Sequence, residues 1–89
     1  MTGVHTDLVV TVRYFAAARA AAGTDDEVIA VAPGTTVGAL IAQLSSKSSE
    51  LAHILKRCSY LRDGVAVRDH GIELGSDQTL DVLPPFAGG

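Results

Sequence analysis

The stretch Thr35 to Leu44 constrains this chain most. Two threonines precede Val37, Leu40, Ile41 and Leu44, which recur at i, i+3, i+4, i+7 spacing. That pattern predicts one amphipathic main helix, capped by Thr35 or Thr36, whose apolar stripe needs a surface to cover it. Most of what flanks the helix is written in a period of two. In residues 8–14, Leu-Val-Val-Thr-Val-Arg-Tyr, Leu8, Val10, Val12 and Tyr14 fall on one face, with Thr11 and Arg13 on the other. Glu27 to Ala32, Cys58 to Arg62, Val65 to Arg68 and Thr79 to Leu83 read as four further strands. Turn signals bound them at Pro33-Gly34, Asp63-Gly64, Asp69-His70-Gly71 and Gly75-Ser76-Asp77-Gln78. Asp63-Gly64 suits a type I′ hairpin, whose two central residues both need positive φ.

Two weaker helical signals remain. Phe15 to Ala22 is alanine-rich and ends at Gly23, a good C-terminal cap, which predicts one to two turns. Leu51, Ile54 and Leu55 repeat the helical spacing after the serine-rich loop 45–49. The order is strand, strand, helix, strand, strand, strand, and a helix returning the chain to one sheet implies a right-handed crossover. The economical solution is an α+β fold of the β-grasp, ubiquitin-like plan: a mixed sheet of about five strands with one main helix packed on one face. Residues 1–7 are expected to be a flexible lead-in, 8–83 the β-grasp domain and 84–89 an extended functional tail.

With 89 residues the chain makes one domain. A chain of this size buries only ~60–65% of the surface its unfolded form exposes, which leaves little room for a walled catalytic cleft. Its net charge is −3 and its seven basic side chains are scattered. A patch of Lys56, Arg57, Arg62 and Arg68 can form in three dimensions, but no concentrated basic face is visible, so no nucleic-acid partner is expected. The single Cys58 excludes an internal disulphide and fits a reducing compartment. The first residues lack the basic and apolar regions of a signal peptide, and no run nears the ~18 apolar residues of a membrane span. A soluble, cytoplasmic protein is therefore expected.

Conventional catalytic patterns are missing. His5, His53 and His70 show no metal-ligand spacing with one another or with Cys58, so no metal is expected and the histidines read as solvent-facing or turn residues. Cys58 at the head of a strand reads as a buried small apolar thiol. The C-terminus differs. Pro84-Pro85 cannot donate ladder hydrogen bonds and holds the exiting chain extended. Phe86 offers an apolar anchor for a partner. Ala87, Gly88 and Gly89 then taper to a thin thread with a carboxylate at its tip, and glycine lets backbone approach backbone closely. That carboxylate is ionised at neutral pH and can attack the α-phosphate of ATP, whereas as an acyl donor it needs activation. Adenylation supplies a leaving group that a sulphur source can displace, leaving a thiocarboxylate.

The stretch Val12-Arg13-Tyr14-Phe15-Ala16, followed by Arg19 and Gly23, resembles the N-terminal signature of the small, sulphur-carrier subunit of molybdopterin synthase. The ending Val82-Leu83-Pro84-Pro85-Phe86-Ala87-Gly88-Gly89 is similar to that family's Pro-Pro-x-x-Gly-Gly terminus. The resemblance runs from about Val9 to Gly89. It implies a subunit that is not an enzyme on its own and binds no cofactor. A ubiquitin-activating-like adenylyltransferase consumes ATP to adenylate Gly89, and a sulphur donor protein converts it to thiocarboxylate. The tail Pro84, Pro85, Phe86, Ala87, Gly88 then enters the large subunit of a heterotetrameric molybdopterin synthase. There Gly89 gives sulphur to cyclic pyranopterin monophosphate, building the dithiolene. Carriers for thiamine or cysteine biosynthesis and ubiquitin-like protein modifiers share the fold and the Gly-Gly end, and stand as alternatives. In one departure, Asp77-Gln78 stands where the family often has Gly-Asp before the final strand.

Overall fold

The computed structural model describes residues 7–85. The chain runs β1 (Leu8–Tyr14), α1 (Ala16–Ala22), β2 (Asp26–Val31), α2 (Val37–Ser45), α3 (Ser49–Leu55), β3 (Ser59–Arg62), β4 (Val65–Ala66) and β5 (Gln78–Leu83). Five strands form one mixed sheet in the order β2-β1-β5-β3-β4. β1 is antiparallel to β2 and parallel to β5, and β3 is antiparallel to both β4 and β5. This is the β-grasp, ubiquitin-like fold. The two weaker helical signals become complete short helices, so α2 shares its layer with α1 and α3.

Alternation in β1 decides the layering. Val10, Val12 and Tyr14 are buried beneath the helices, while Val9 and Arg13 are exposed on the open face. In α2, Val37, Leu40 and Leu44 are completely buried, as their spacing predicts, and Leu80 and Val82 of β5 meet them from the sheet. Burying a leucine-sized side chain contributes roughly 1.5–3 kcal/mol, so this single stripe provides much of the driving force for docking helix to sheet.

The caps follow local chemistry. The Thr36 hydroxyl accepts from the Ala39 amide at 3.0 Å, starting α2, and Ser48 does the same for Leu51 in α3. The next amides of α2 are met by the loop before β5: Val37 donates to the Ile72 carbonyl and Gly38 to that of His70. Gly23 ends α1 at φ +79, and Asp63 and Gly64 both take positive φ in the β3–β4 hairpin. Asp77, where the resembled family often has glycine, sits at φ +61. An aspartate thus holds a left-handed conformation that glycine would adopt without strain.

Candidate functional site at the exit of the last strand

β5 lies at the centre of the sheet and delivers the C-terminal segment between β1 and β3. Its last residues are held from both sides. Val82 is level with Tyr14 and with Tyr60, and Leu83 with Ser59. The Phe15 amide, just past β1, donates to the Val82 carbonyl at 3.2 Å. Pro84 is half-buried and Pro85 exposed, and neither continues the strand. The other tail residues singled out from the sequence, Phe86, Ala87, Gly88 and Gly89, lie outside the described residues, as does His5.

On the open face an ion pair clasps the two strands beside this exit. Asp81 is only 8% exposed, and its carboxylate accepts from Arg13 Nε at 2.7 Å and Nη2 at 3.0 Å. Both side chains point the same way because Arg13 and Asp81 are register partners on parallel strands. The hydrogen bond and charge of Asp81 hold the guanidinium more firmly protonated than usual. It also lies over the exposed Phe15 ring, 5.4 Å from the centroid. Ala16 follows at φ +51, a strained value for alanine, at the step where β1 turns into α1. Sequence reasoning missed this clasp. The one available signal was that Arg13 and Asp81 break the apolar pattern of two central strands, and only the register shows that they meet.

A second polar network sits on the helix side of the same end. Tyr14 donates its hydroxyl to Glu27 at 2.5 Å, and Lys47 Nζ reaches both Glu27 oxygens at 2.5 and 2.6 Å. Burial disfavours the Glu27 charge, but hydrogen bonds from Lys47 and Tyr14 outweigh it and hold the carboxyl below its ordinary range. Burial and the Glu27 contact push the Tyr14 phenol up.

The remaining sequence candidates do not assemble into catalytic machinery. Cys58 is half-buried just before β3, less enclosed than its sequence reading supposed. Its thiol donates to the Ile54 carbonyl at 3.2 Å, and burial pushes its pKa up, the reverse of what activates a nucleophile. His53 is exposed, and exposed His70 sets its ring edge-on to Tyr60 with centroids 5.6 Å apart. Among the described residues, no three His, Cys, Asp or Glu side chains gather to hold a metal ion. No described helix is long and apolar enough to cross a membrane. The supposed basic patch divides: Arg62 is turned to the Glu73 carbonyl at 3.2 Å, while Lys56 and Arg57 stand exposed after α3.

The described part of the exit is thus a central strand held on both sides up to Leu83 and followed by Pro84 and Pro85, and the same fold is found in known proteins. The protein assigned as subunit 1 of molybdopterin converting factor from Pyrococcus furiosus superposes with a TM-score of 0.80 at 26% identity, covering 88% of this chain and 98% of that one. SAMP1 from Haloferax volcanii, a small archaeal modifier protein, gives 0.79 at 22% identity, over 91% of this chain and 99% of that one. In the complex of subunits 1 and 2 of the molybdopterin-converting factor from Helicobacter pylori, a matching chain gives 0.69 at 22% identity, over 92% and 100%. At the latter two identities the likeness shows the fold. No curated protein sequence matches the chain. The model of the ThiS family matches residues 12–89, from the middle of β1 through Gly89, and the chain belongs to that family of small, non-catalytic β-grasp sulphur carriers.

Proposed function

We propose that this chain is the sulphur-carrier subunit of a molybdopterin synthase, with the Gly89 carboxyl as the carrying group. A carboxylate oxygen attacks the α-phosphorus of ATP on a ubiquitin-activating-like partner, and pyrophosphate leaves. Sulphide-level sulphur supplied by a donor protein attacks the acyl carbon, the acyl–oxygen bond breaks with AMP as leaving group, and the thiocarboxylate remains. Pro84, Pro85, Phe86, Ala87 and Gly88 are the segment that threads into the large subunit, where sulphur passes to cyclic pyranopterin monophosphate. The chain supplies a handle and a tether, and its partners supply the acid–base chemistry. Residues 84–89 thus act as a functional tail on the body formed by residues 8–83.

The single observation that carries this reading is the ThiS-family match running through Gly89, on a body whose central strand ends at Leu83, just before the tail. The Pro-Pro step, the Tyr14-Phe15-Ala16 stretch and the likeness to the Pyrococcus furiosus protein favour the molybdopterin branch over thiamine or cysteine synthesis. The test is reconstitution of thiocarboxylated chain with a molybdopterin synthase large subunit and the pterin precursor. Dithiolene formation that disappears on deletion of Gly88-Gly89 is the expected result. Transfer that persists without those glycines contradicts it.

The likeness to SAMP1 favours a second reading, a modifier whose Gly89 forms an amide with a target lysine. It predicts larger covalent species in cells, which the carrier reading does not require.

A further inference from the structure

The sheet has two outer edges, and they are built differently. β4 forms one with only two residues, Val65 and Ala66. β2 forms the other with six, Asp26–Val31, all in unbroken register with β1. A row of unpaired amides and carbonyls invites a further strand, and proteins blunt such edges with short strands, bulges, prolines or lysines. β4 is blunted by its shortness. β2 has no bulge, proline or lysine, and among the described residues no element pairs with its outer side.

Which groups face outward follows from the bonds on the inner side. The Tyr14 amide donates to the Asp25 carbonyl at 2.8 Å in the β1–β2 register. By alternation Val12, Val10 and Leu8 also turn their backbone groups to β2, where Glu27, Ile29 and Val31 answer them. Val9 and Phe15 turn the other way, bonding to Asp77 and Val82 on the β5 side, as that alternation requires. Asp26, Val28 and Ala30 therefore direct their amides and carbonyls away from the sheet. Their side chains share the open face with Arg13, Thr11 and Val9, and all three are exposed, Val28 at 68%.

We infer that the outer edge of β2 is a self-association surface, pairing antiparallel with β2 of a second copy about a twofold axis at Val28. That register sets Val28 against Val28 and Asp26 against Ala30, in three hydrogen-bonded pairs that exchange two bonds each. It is the only register that engages all three outward residues within the strand. Centring the axis on Glu27 opposes Glu27 to Glu27, and centring it on Ile29 draws Ala32, outside the strand, into the ladder. Charge selects the same partner and direction. One half of β2 is acidic, Asp26 and Glu27, and the other, Ile29–Val31, is apolar. Antiparallel pairing lays each acidic half on the other copy's apolar half, whereas parallel pairing sets acid beside acid. Each carboxylate here also has its own cation: Asp25 has Arg19 at 3.6 Å, Asp26 is level with Arg13, and Glu27 holds Lys47. Exposed Val9, diagonal to Val28, extends the apolar contact along the open face. The pairing doubles the five-stranded sheet and runs the two β5 strands in opposite directions, each separated from the seam by β1 and β2. It does not depend on what Gly89 carries.

The test is sedimentation velocity of the full chain from about 10 μM to about 1 mM, the range in which small interfaces associate. The weight-average mass is expected to climb from monomer toward dimer. Val28→Lys opposes two positive charges across the axis. Val65→Lys makes the same change at a valine that is 67% exposed on the blunted edge, and thermal melts check that both fold. The dissociation constant is expected to rise at least about 10-fold in the first and less than about 2-fold in the second. Hydrogen exchange locates the seam without any substitution. The Asp26, Val28 and Ala30 amides should gain protection with concentration, whereas those of Glu27 and Ile29, bonded to β1 in the monomer, are protected throughout. A chain that stays monomeric at about 1 mM overturns the inference, whether or not an extended peptide adds to β2. A dimer that both lysine variants weaken alike, or whose outward β2 amides exchange at the monomer's rate, overturns it too.

Discussion

Asp77 and Asp63 occupy the same strained region of backbone space, at φ +61 and +49, yet they are there on different terms. A non-glycine residue in the left-handed region costs about 1–2 kcal/mol, and aspartate tolerates it better than most. The Asp63 carboxylate recovers part of that cost by accepting from the Thr79 amide at 2.9 Å, whereas among the described residues the Asp77 side chain makes no hydrogen bond. Asp77→Gly should therefore raise stability by about 0.5–1 kcal/mol in denaturant unfolding, and Asp63→Gly should not. Glu27 gives a pH signature. Its folded pKa is lowered, so its stabilising contribution is complete above the ordinary glutamate value of ~4.3 and is lost as pH falls through the lowered folded value. Glu27→Gln should remove that part of the acid-induced loss in a series of melts below pH 5 or so. Cys58 makes a third case. With its thiolate disfavoured by burial, Cys58→Ala should leave sulphur transfer intact, and a folded but inactive variant would relocate the chemistry to the thiol.

At the scale of elements, α2 joins the sequence pattern to the site. Leu40 is fully buried at the middle of its stripe, and Leu40→Ala should cost about 2–5 kcal/mol in chemical denaturation. The elements most legible in the sequence were those with an uninterrupted period: α2 from Val37, Leu40 and Leu44, and β1 from Val10, Val12 and Tyr14. The hairpin was legible because Asp63-Gly64 specifies its own turn. α3 was harder to read, since its buried Leu51 and Leu55 make a single turn of pattern and helices this short depend on tertiary packing. The sequence pattern predicts four residues for β4, which spans only Val65 and Ala66. Val67 still donates its amide to the Tyr60 carbonyl, and from Arg68 the chain crosses toward the start of α2, where His70 and Ile72 accept from Gly38 and Val37. Local propensity does not contain that departure.

For the whole molecule, the sequence pointed to Gly89 as the working end but not to what surrounds the exit. The Arg13–Asp81 clasp joins residues 68 positions apart, and the grouping of Lys56, Arg57 and Arg68 depends on three strands in register. Neither is a property of any short segment. What the fold adds is therefore a central strand fixed by β1 and β3, and an end of the sheet beside it that carries the Arg13–Asp81 pair and the exposed Lys56, Arg57 and Arg68. The central claim, that the Gly89 carboxyl carries sulphur, is tested most directly by intact mass of the chain isolated from its own cells under conditions that preserve thiocarboxylates. The account predicts a species with one oxygen replaced by sulphur, localised to the C-terminal peptide and absent when the activating enzyme is deleted. Unmodified chain together with larger conjugates, and no sulphur-bearing form, would contradict it.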